Sequence, residues 1–136
     1  MLNEEIERLL TERFGKDSLI ALATEADGVP YVRAVNALYL GSAFYCITDA
    51  RSNKMRQIAK NSTVGLCGEW FTGHGRGENL GWIGTKENEV IAEKLRKAFA
   101  SWLGNGHVNE ADENTVILKV TLTDGVLMSH GTRYEF

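Results

Sequence analysis

Residues able to do chemistry concentrate in Ile47-Thr48-Asp49-Ala50-Arg51-Ser52-Asn53-Lys54-Met55-Arg56, which reads as a strand end, a tight turn and the first turn of a helix. Ser52 is the expected N-cap, its hydroxyl accepting from a free N–H one turn on. The charges, however, oppose an empty helix start. Its positive dipole end favours acids, and an exposed cation there costs roughly 0.3–1 kcal/mol, yet Arg51, Lys54 and Arg56 face only Asp49. A phosphate would turn that conflict into attraction, with N–H groups, a hydroxyl and cations converging on one dianion.

A second cation points the same way. Between residues 31 and 40 the side chains alternate, and both faces are largely apolar, which predicts a deep strand. Arg33 in its middle must reach the rim or meet an anion. Other constellations are weaker. The glycines from Gly73 to Gly84 show no G-x-G-x-x-G phasing and no Walker lysine. His74, His107 and His130 are scattered, and neither they nor Cys46 and Cys67 have zinc-ligand spacing, so no metal site is expected. No serine sits in a nucleophile elbow, and no catalytic acid or base is assigned. Trp102, at helical spacing from Phe99, reads as core. Trp70 is equally open to packing and to stacking on a planar ligand.

The elements that must position these groups follow from periodicity. Leu2, Ile6, Leu9, Leu10 and Phe14 mark an opening helix capped by Asn3 and stopped at Gly15. Residues 19–24 form a strand closed by an Asp27-Gly28 hairpin, and the return strand begins at Pro30. Gly41-Ser42 turns into a third strand over 44–48. A short helix from Ser52 to about Lys60 buries Met55, Ile58 and Ala59. Residues 63–71 are strand-like, and the 73–77 glycines bend or bulge the chain into a strand reaching Ile83. Thr85, Glu87 and Glu89 open a helix with Ile91, Leu95, Ala98, Phe99 and Trp102 inward, a Glu93–Lys97 pair outside and Gly104 at its end. Residues 116–123 alternate as a half-buried strand, and Asp124-Gly125 makes the last hairpin. Three helices and six to eight strands predict a mainly β chain with flanking helices, an antiparallel closed barrel.

Composition sets the bounds. At 136 residues, 43% apolar, with one proline, the chain suits a single domain over 1–136 that buries roughly two-thirds of its unfolded surface. A net charge of -3 argues against general nucleic-acid binding. The first 14 residues carry four acids and no long apolar run, so neither a signal nor a transit peptide is expected there, and no stretch suits a membrane span. A cytoplasmic protein with both cysteines reduced in the core is expected.

Val32-Arg33-Ala34-Val35, Phe44-Tyr45-Cys46-Ile47-Thr48 and Ser52-Asn53-Lys54, in this order and separation, resemble the pyridoxamine 5'-phosphate oxidase-like proteins, small FMN-binding split barrels. The resemblance implies FMN as cofactor. It implies Arg33, Ser52, Asn53 and Lys54 around the FMN phosphate. Val35, Asn36, Ile47 and Thr48 would lie along the ribityl chain and ring, with backbone groups meeting the polar ring edge. Arg76 lies near a family position reaching the flavin from a second subunit, in a homodimer with flavins at the interface. The activity implied is FMN-dependent oxidoreduction, the protein orienting the flavin. Ser129-His130-Gly131-Thr132-Arg133 has the residue types but not the pattern of the vitamin-processing members, so a true pyridoxamine phosphate oxidase is not expected. A flavin- or haem-binding module without turnover is the alternative function, and relatives with this barrel also use a deazaflavin coenzyme.

Overall fold

The computed structural model describes residues 2–136. Helix α1 (Glu4–Phe14) starts at Asn3, whose side chain accepts from the Ile6 N–H at 2.9 Å. Strands β1 (Ser18–Ala26) and β2 (Val29–Leu40) meet at Asp27-Gly28, both with positive φ, as a two-residue hairpin requires. Gly41-Ser42 repeats the device into β3 (Ala43–Asp49). Helix α2 (Asn53–Lys60) leads to β4 (Thr63–Gly68), and β5 (Phe71–Trp82) follows. A 3-10 turn at Lys86–Asn88 enters α3 (Glu89–Ala98), and β6 (Thr115–Ser129) and β7 (Thr132–Glu135) close the chain.

The sheet runs β3-β2-β1-β4-β5-β6-β7, and β3 also pairs with β6, closing six strands into an antiparallel barrel with β7 appended. Inward residues Ile20, Leu22, Tyr39, Phe44, Val64, Leu66, Leu118 and Val120 fill it. Helix α1 contributes Ile6, Leu9, Leu10 and Phe14 to that core, and α2 contributes Met55 and Ile58. The two helices plug opposite ends. Glu7 on α1 accepts from Tyr39 and Ser42 beside the β2–β3 turn, whereas Gln57 on α2 meets Thr24 near the β1–β2 turn. A second core lies outside the barrel wall, where Leu38 and Ile117 pack against Ala92, Leu95 and Phe99. No helix among the described residues is long and apolar enough to cross a membrane.

Several expectations are corrected. The β4–β5 turn is at Glu69-Trp70, not at the glycines, and Trp70 is 71% exposed on it with φ 51°. Gly73, Gly75 and Gly77 lie inside β5 with their bare faces inward, because the neighbouring strand β6, and for Gly77 the Ile58 side chain of α2, comes too close for a side chain. The register does shift beside them, between His74 and Gly75. Asp124-Gly125 sits within β6, and His130-Gly131, both at positive φ, makes the last hairpin instead. Helix α3 ends at Ala98, short of Gly104, and Glu93 pairs with Arg96, not Lys97. Ala59 is exposed. Cys46 is buried but Cys67, one residue past the inward Leu66, is exposed. The strand over 31–40 is deep only at Ala37, Leu38 and Tyr39, while Tyr31, Val32 and Ala34 are exposed.

A Cβ on Gly75 would lie 2.6 Å from Val120 Cγ1 and 2.8 Å from the Thr121 carbonyl oxygen. Backbone cannot yield as a flexible side chain does, so Gly75→Ala is expected to destabilise by about 1–3 kcal/mol, the usual range for overpacking. Urea unfolding checks it. An unchanged midpoint would mean the wall is looser than described.

Candidate functional site

The barrel is incompletely sewn. Strand β2 pairs with β1 from Val29–Ala26 to Ala37–Ser18, but with β3 only at Leu38–Tyr45, Tyr39–Phe44 and Leu40–Ala43. Strand β3 runs on to Asp49 paired with β6 alone. Beyond Tyr45 the facing edges of β2 and β3 therefore diverge without a strand between them among the described residues. Backbone groups on such edges need partners from solvent or a ligand. Val35, Asn36, Ile47 and Thr48 lie along this seam.

At its mouth stands the start of α2. The turn before it is held by Ala50 N–H donating to Asn114 O and Ser52 N–H donating to Asp49 O. Ser52 occupies the N-cap position, but its hydroxyl makes no cap bond. That oxygen is buried and unpartnered, the one such side-chain atom among the described residues. Buried polar groups are almost always satisfied, so an orphan here marks a missing partner.

The cations divide into two kinds. Arg51 is spent on the protein, in a two-pronged pair with Asp49 at 2.8–3.0 Å and a longer contact to Asp112 at 3.4 Å. Its hydrogen bonds hold the Asp49 carboxyl down at about 2. Lys54 and Arg33 take part in none of the ion pairs among the described residues. Burial lowers the Lys54 ammonium below the ordinary lysine range, the nearby Arg33 charge lowers it further, and the Asp49 charge offsets part of this without forming an ion pair. Cys46 lies within electrostatic reach, but burial pushes its thiol up to about 12, so at neutral pH it offers no counter-charge. Burial likewise lowers Arg33. Two half-buried cations thus repel one another beside an unpaired hydroxyl. An anion with several acceptor oxygens is the chemical complement of that set.

The remaining predicted residues fall around this centre unevenly. Asn53 is exposed at the first position of α2. Val35 packs against the barrel core and Ile47 against the outer core, so what they present to the seam is backbone. The Asn36 amide is occupied by Asp17, which also accepts from the Trp102 indole. Thr48 opens, with Ile47, onto a cavity of about 200 Å3 whose far wall includes His107, Asn109 and Asp112. Arg76 is not brought to the cluster within this chain: it lies exposed on β5, separated from β2 by β4 and β1. The sequence reading missed Thr24 and Gln57, which bond Arg33 directly. Their signal was a polar residue continuing the inward series Ile20, Leu22 on β1, and a glutamine one turn after Lys54.

The pyridoxamine 5'-phosphate oxidase family model matches residues 2–128. The chain belongs to the pyridoxamine 5'-phosphate oxidase-like family. Solved structures of the same split-barrel fold include a NimC/NimA family protein from Clostridium acetobutylicum, 20% identical over 98% of this chain and 94% of the other, with a TM-score of 0.69. An FAD-binding protein from Mesorhizobium loti is 14% identical over 91% of this chain and 92% of its own, at 0.69. A haem-binding protein from Mycobacterium smegmatis is 14% identical over 100% of this chain and 59% of its own, at 0.72. At such identities the likeness is one of fold. No sequence match was found among the curated proteins. Strand β7 begins after the residues the family model matches.

An Ser→Ala change at a working N-cap costs roughly 0.5–2 kcal/mol. Because the Ser52 hydroxyl caps nothing, Ser52→Ala is expected to leave the ligand-free protein as stable as before, or slightly more so, in thermal unfolding. A clear loss of stability would show that the hydroxyl serves the helix.

Proposed function

We propose that this chain binds FMN at the β2–β3 seam and works as an FMN-dependent oxidoreductase. The observation that carries the reading is the conjunction at one helix start of the orphaned Ser52 hydroxyl with two cations, Arg33 and Lys54, that lack carboxylate partners. A phosphate monoester fits that donor set, and family membership makes a flavin phosphate the natural occupant. In this reading Ser52, Asn53 and Lys54 hold the phosphate with Arg33, and the open edges at Val35-Asn36 and Ile47-Thr48 take the ribityl chain and the polar edge of the ring. When bound, the flavin supplies hydride and electron transfer, while these residues bind and orient it. The cavity beside Thr48 is where a small reactant would approach.

The dimer belongs to the same proposal. On the outer face of the sheet, Val32 (71% exposed) stands opposite Ala23, Ala34 opposite Ala21, and Leu19 (68% exposed) beside them, with Gly65 across from Ala23. Small apolar side chains on neighbouring strands make a flat patch that a second copy of the chain would cover. Arg76 lies on the outer face of β5, from which it can serve only a neighbouring subunit's flavin. The haem alternative draws support from the haem-binding neighbour's fold, and haem carboxylates would also suit Arg33 and Lys54; a Soret band after haem titration would favour it.

Two measurements test the proposal. Lys54→Glu replaces attraction to the phosphate by repulsion in a half-desolvated site, and is expected to abolish FMN binding in a flavin-fluorescence titration while the protein stays folded. Retained affinity would place the phosphate elsewhere. Val32→Lys is expected to give a monomer by sedimentation with weakened FMN binding; a dimer that persists would move the interface off this face.

A further inference from the structure

The Arg33 guanidinium is held through its two Nη nitrogens, and every group it meets is neutral, while its Nε–H and one Nη2 hydrogen stay without an acceptor among the described residues. Nη1 donates to Thr24 Oγ1 at 2.7 Å, to the Leu22 carbonyl at 3.2 Å and to the Tyr31 carbonyl at 3.4 Å, and Nη2 donates to Gln57 Oε1 at 3.4 Å. The Thr24 hydroxyl donates in turn to the same Gln57 oxygen. Three side chains thus close a ring around one acceptor. Since a guanidinium can only donate, the amide oxygen of Gln57 and not its NH2 must face it. Thr24 is 2% exposed, so this ring is anchored in the barrel wall. Gln57 sits one turn beyond Lys54 on α2, on the same side of the helix.

The chemistry of position 57 is the informative part. A glutamate would reach the same donors, hold Arg33 more strongly and cancel its charge. The amide fixes the geometry and leaves the charge whole. The same holds for Thr24 and the backbone carbonyls, and no carboxylate among the described residues bonds Arg33. A cation locked in place by neutral acceptors keeps its full attraction for an arriving anion, and that attraction needs no rearrangement when the anion binds.

We propose that Gln57 and Thr24 are positioning residues for the phosphate, holding the Arg33 guanidinium in register with Ser52 and Lys54 without neutralising it. They confer preference for the phosphorylated cofactor over its dephosphorylated form. This inference rests on the FMN reading, and FMN compared with riboflavin separates the two, because they share ring and ribityl chain and differ in the phosphate.

Affinities for both flavins are measured by fluorescence quenching. In the native protein FMN binds more tightly than riboflavin. Gln57→Met and Thr24→Val each weaken FMN by about ten- to a hundredfold, the worth of one charge-assisted hydrogen bond, and leave riboflavin unchanged. Thr24→Ser, which keeps the hydroxyl, restores FMN affinity. In an Arg33→Ala background Gln57→Met has no further effect, since the residue it positions is gone. Should Gln57→Met not fold, Gln57→Glu keeps both acceptor bonds and is expected to lower FMN affinity alone by cancelling the Arg33 charge. The inference is overturned if these variants keep the native preference for FMN while Lys54→Glu abolishes it, or if riboflavin and FMN weaken together. Equal affinity of the native protein for the two flavins would overturn the cofactor reading as well.

Discussion

Strand β2 is committed to β1 along nine residue pairs and β3 to β6 along seven, which leaves the two strands only three pairs with each other. Everything distinctive about the molecule follows from that shortage. Past Leu38 the side chain of Val35 packs on the same filled core as Tyr39, Phe44 and Cys46. The walls splay, and α2 is set across the opening by the turn at residues 49–52. A helix start is thereby brought to a pair of unpaired strand edges. Backbone donors, backbone acceptors and the positive end of a helix dipole meet in one place.

The charges at that place are arranged against the stability of the free chain. Arg51 and Asp49 neutralise each other at the surface, where such pairs contribute little. Lys54 and Arg33, further in, have no such partner, although exchanging a single neighbour, Gln57, for a carboxylate would provide one. A buried hydroxyl without a bond adds to the cost. Consistent sequences break local rules where something outside the chain restores them. On the proposed reading the phosphate does so, satisfying the hydroxyl and both cations together. The half-burial that lowers Lys54 in the free protein is then what strengthens its attraction to the ligand.

Turn chemistry was legible because it is local. Asp27-Gly28 and Gly41-Ser42 announce positive φ in two consecutive residues, and Asn3 announces a cap. Asp124-Gly125 carries the same signature and misleads. It falls opposite the shift between His74 and Gly75, and Gly125 is needed for the close approach of Phe136 and the Thr72 carbonyl. The run from Gly73 to Gly77 misleads for a related reason: its glycines answer to Val120, Ile58 and the backbone of β6, none of which is near in sequence. Cys67 was decidable from parity, since Val64 and Leu66 point inward and the next residue cannot. At the site, Arg33 and the 52–54 turn could be singled out by charge alone. Thr24 and Gln57 could not, because neutral residues become informative only when the cation they hold is seen beside them. Arg76 stands apart, read from the resemblance and placed by the fold on the exposed side of β5, separated from β2 by β1 and β4.

That placement bears on how the proposed dimer and the proposed cofactor depend on each other. Strand β2 serves both through alternation: Arg33 and Val35 project toward the barrel interior, and Val32 and Ala34 project outward onto the apolar patch. The rim of the seam and the rim of the patch therefore share the backbone of residues 32–35. A subunit seated on the patch would wall the seam from outside, excluding water from a ring held along Val35-Asn36 and strengthening the phosphate contacts at Arg33 by lowering the local dielectric. Conversely, a flavin bridging the edges of β2 and β3 would stiffen β2 and fix the surface that the partner reads. In the proposed assembly neither event is independent of the other, and the coupling runs through a strand that is paired on one edge and largely open on the other.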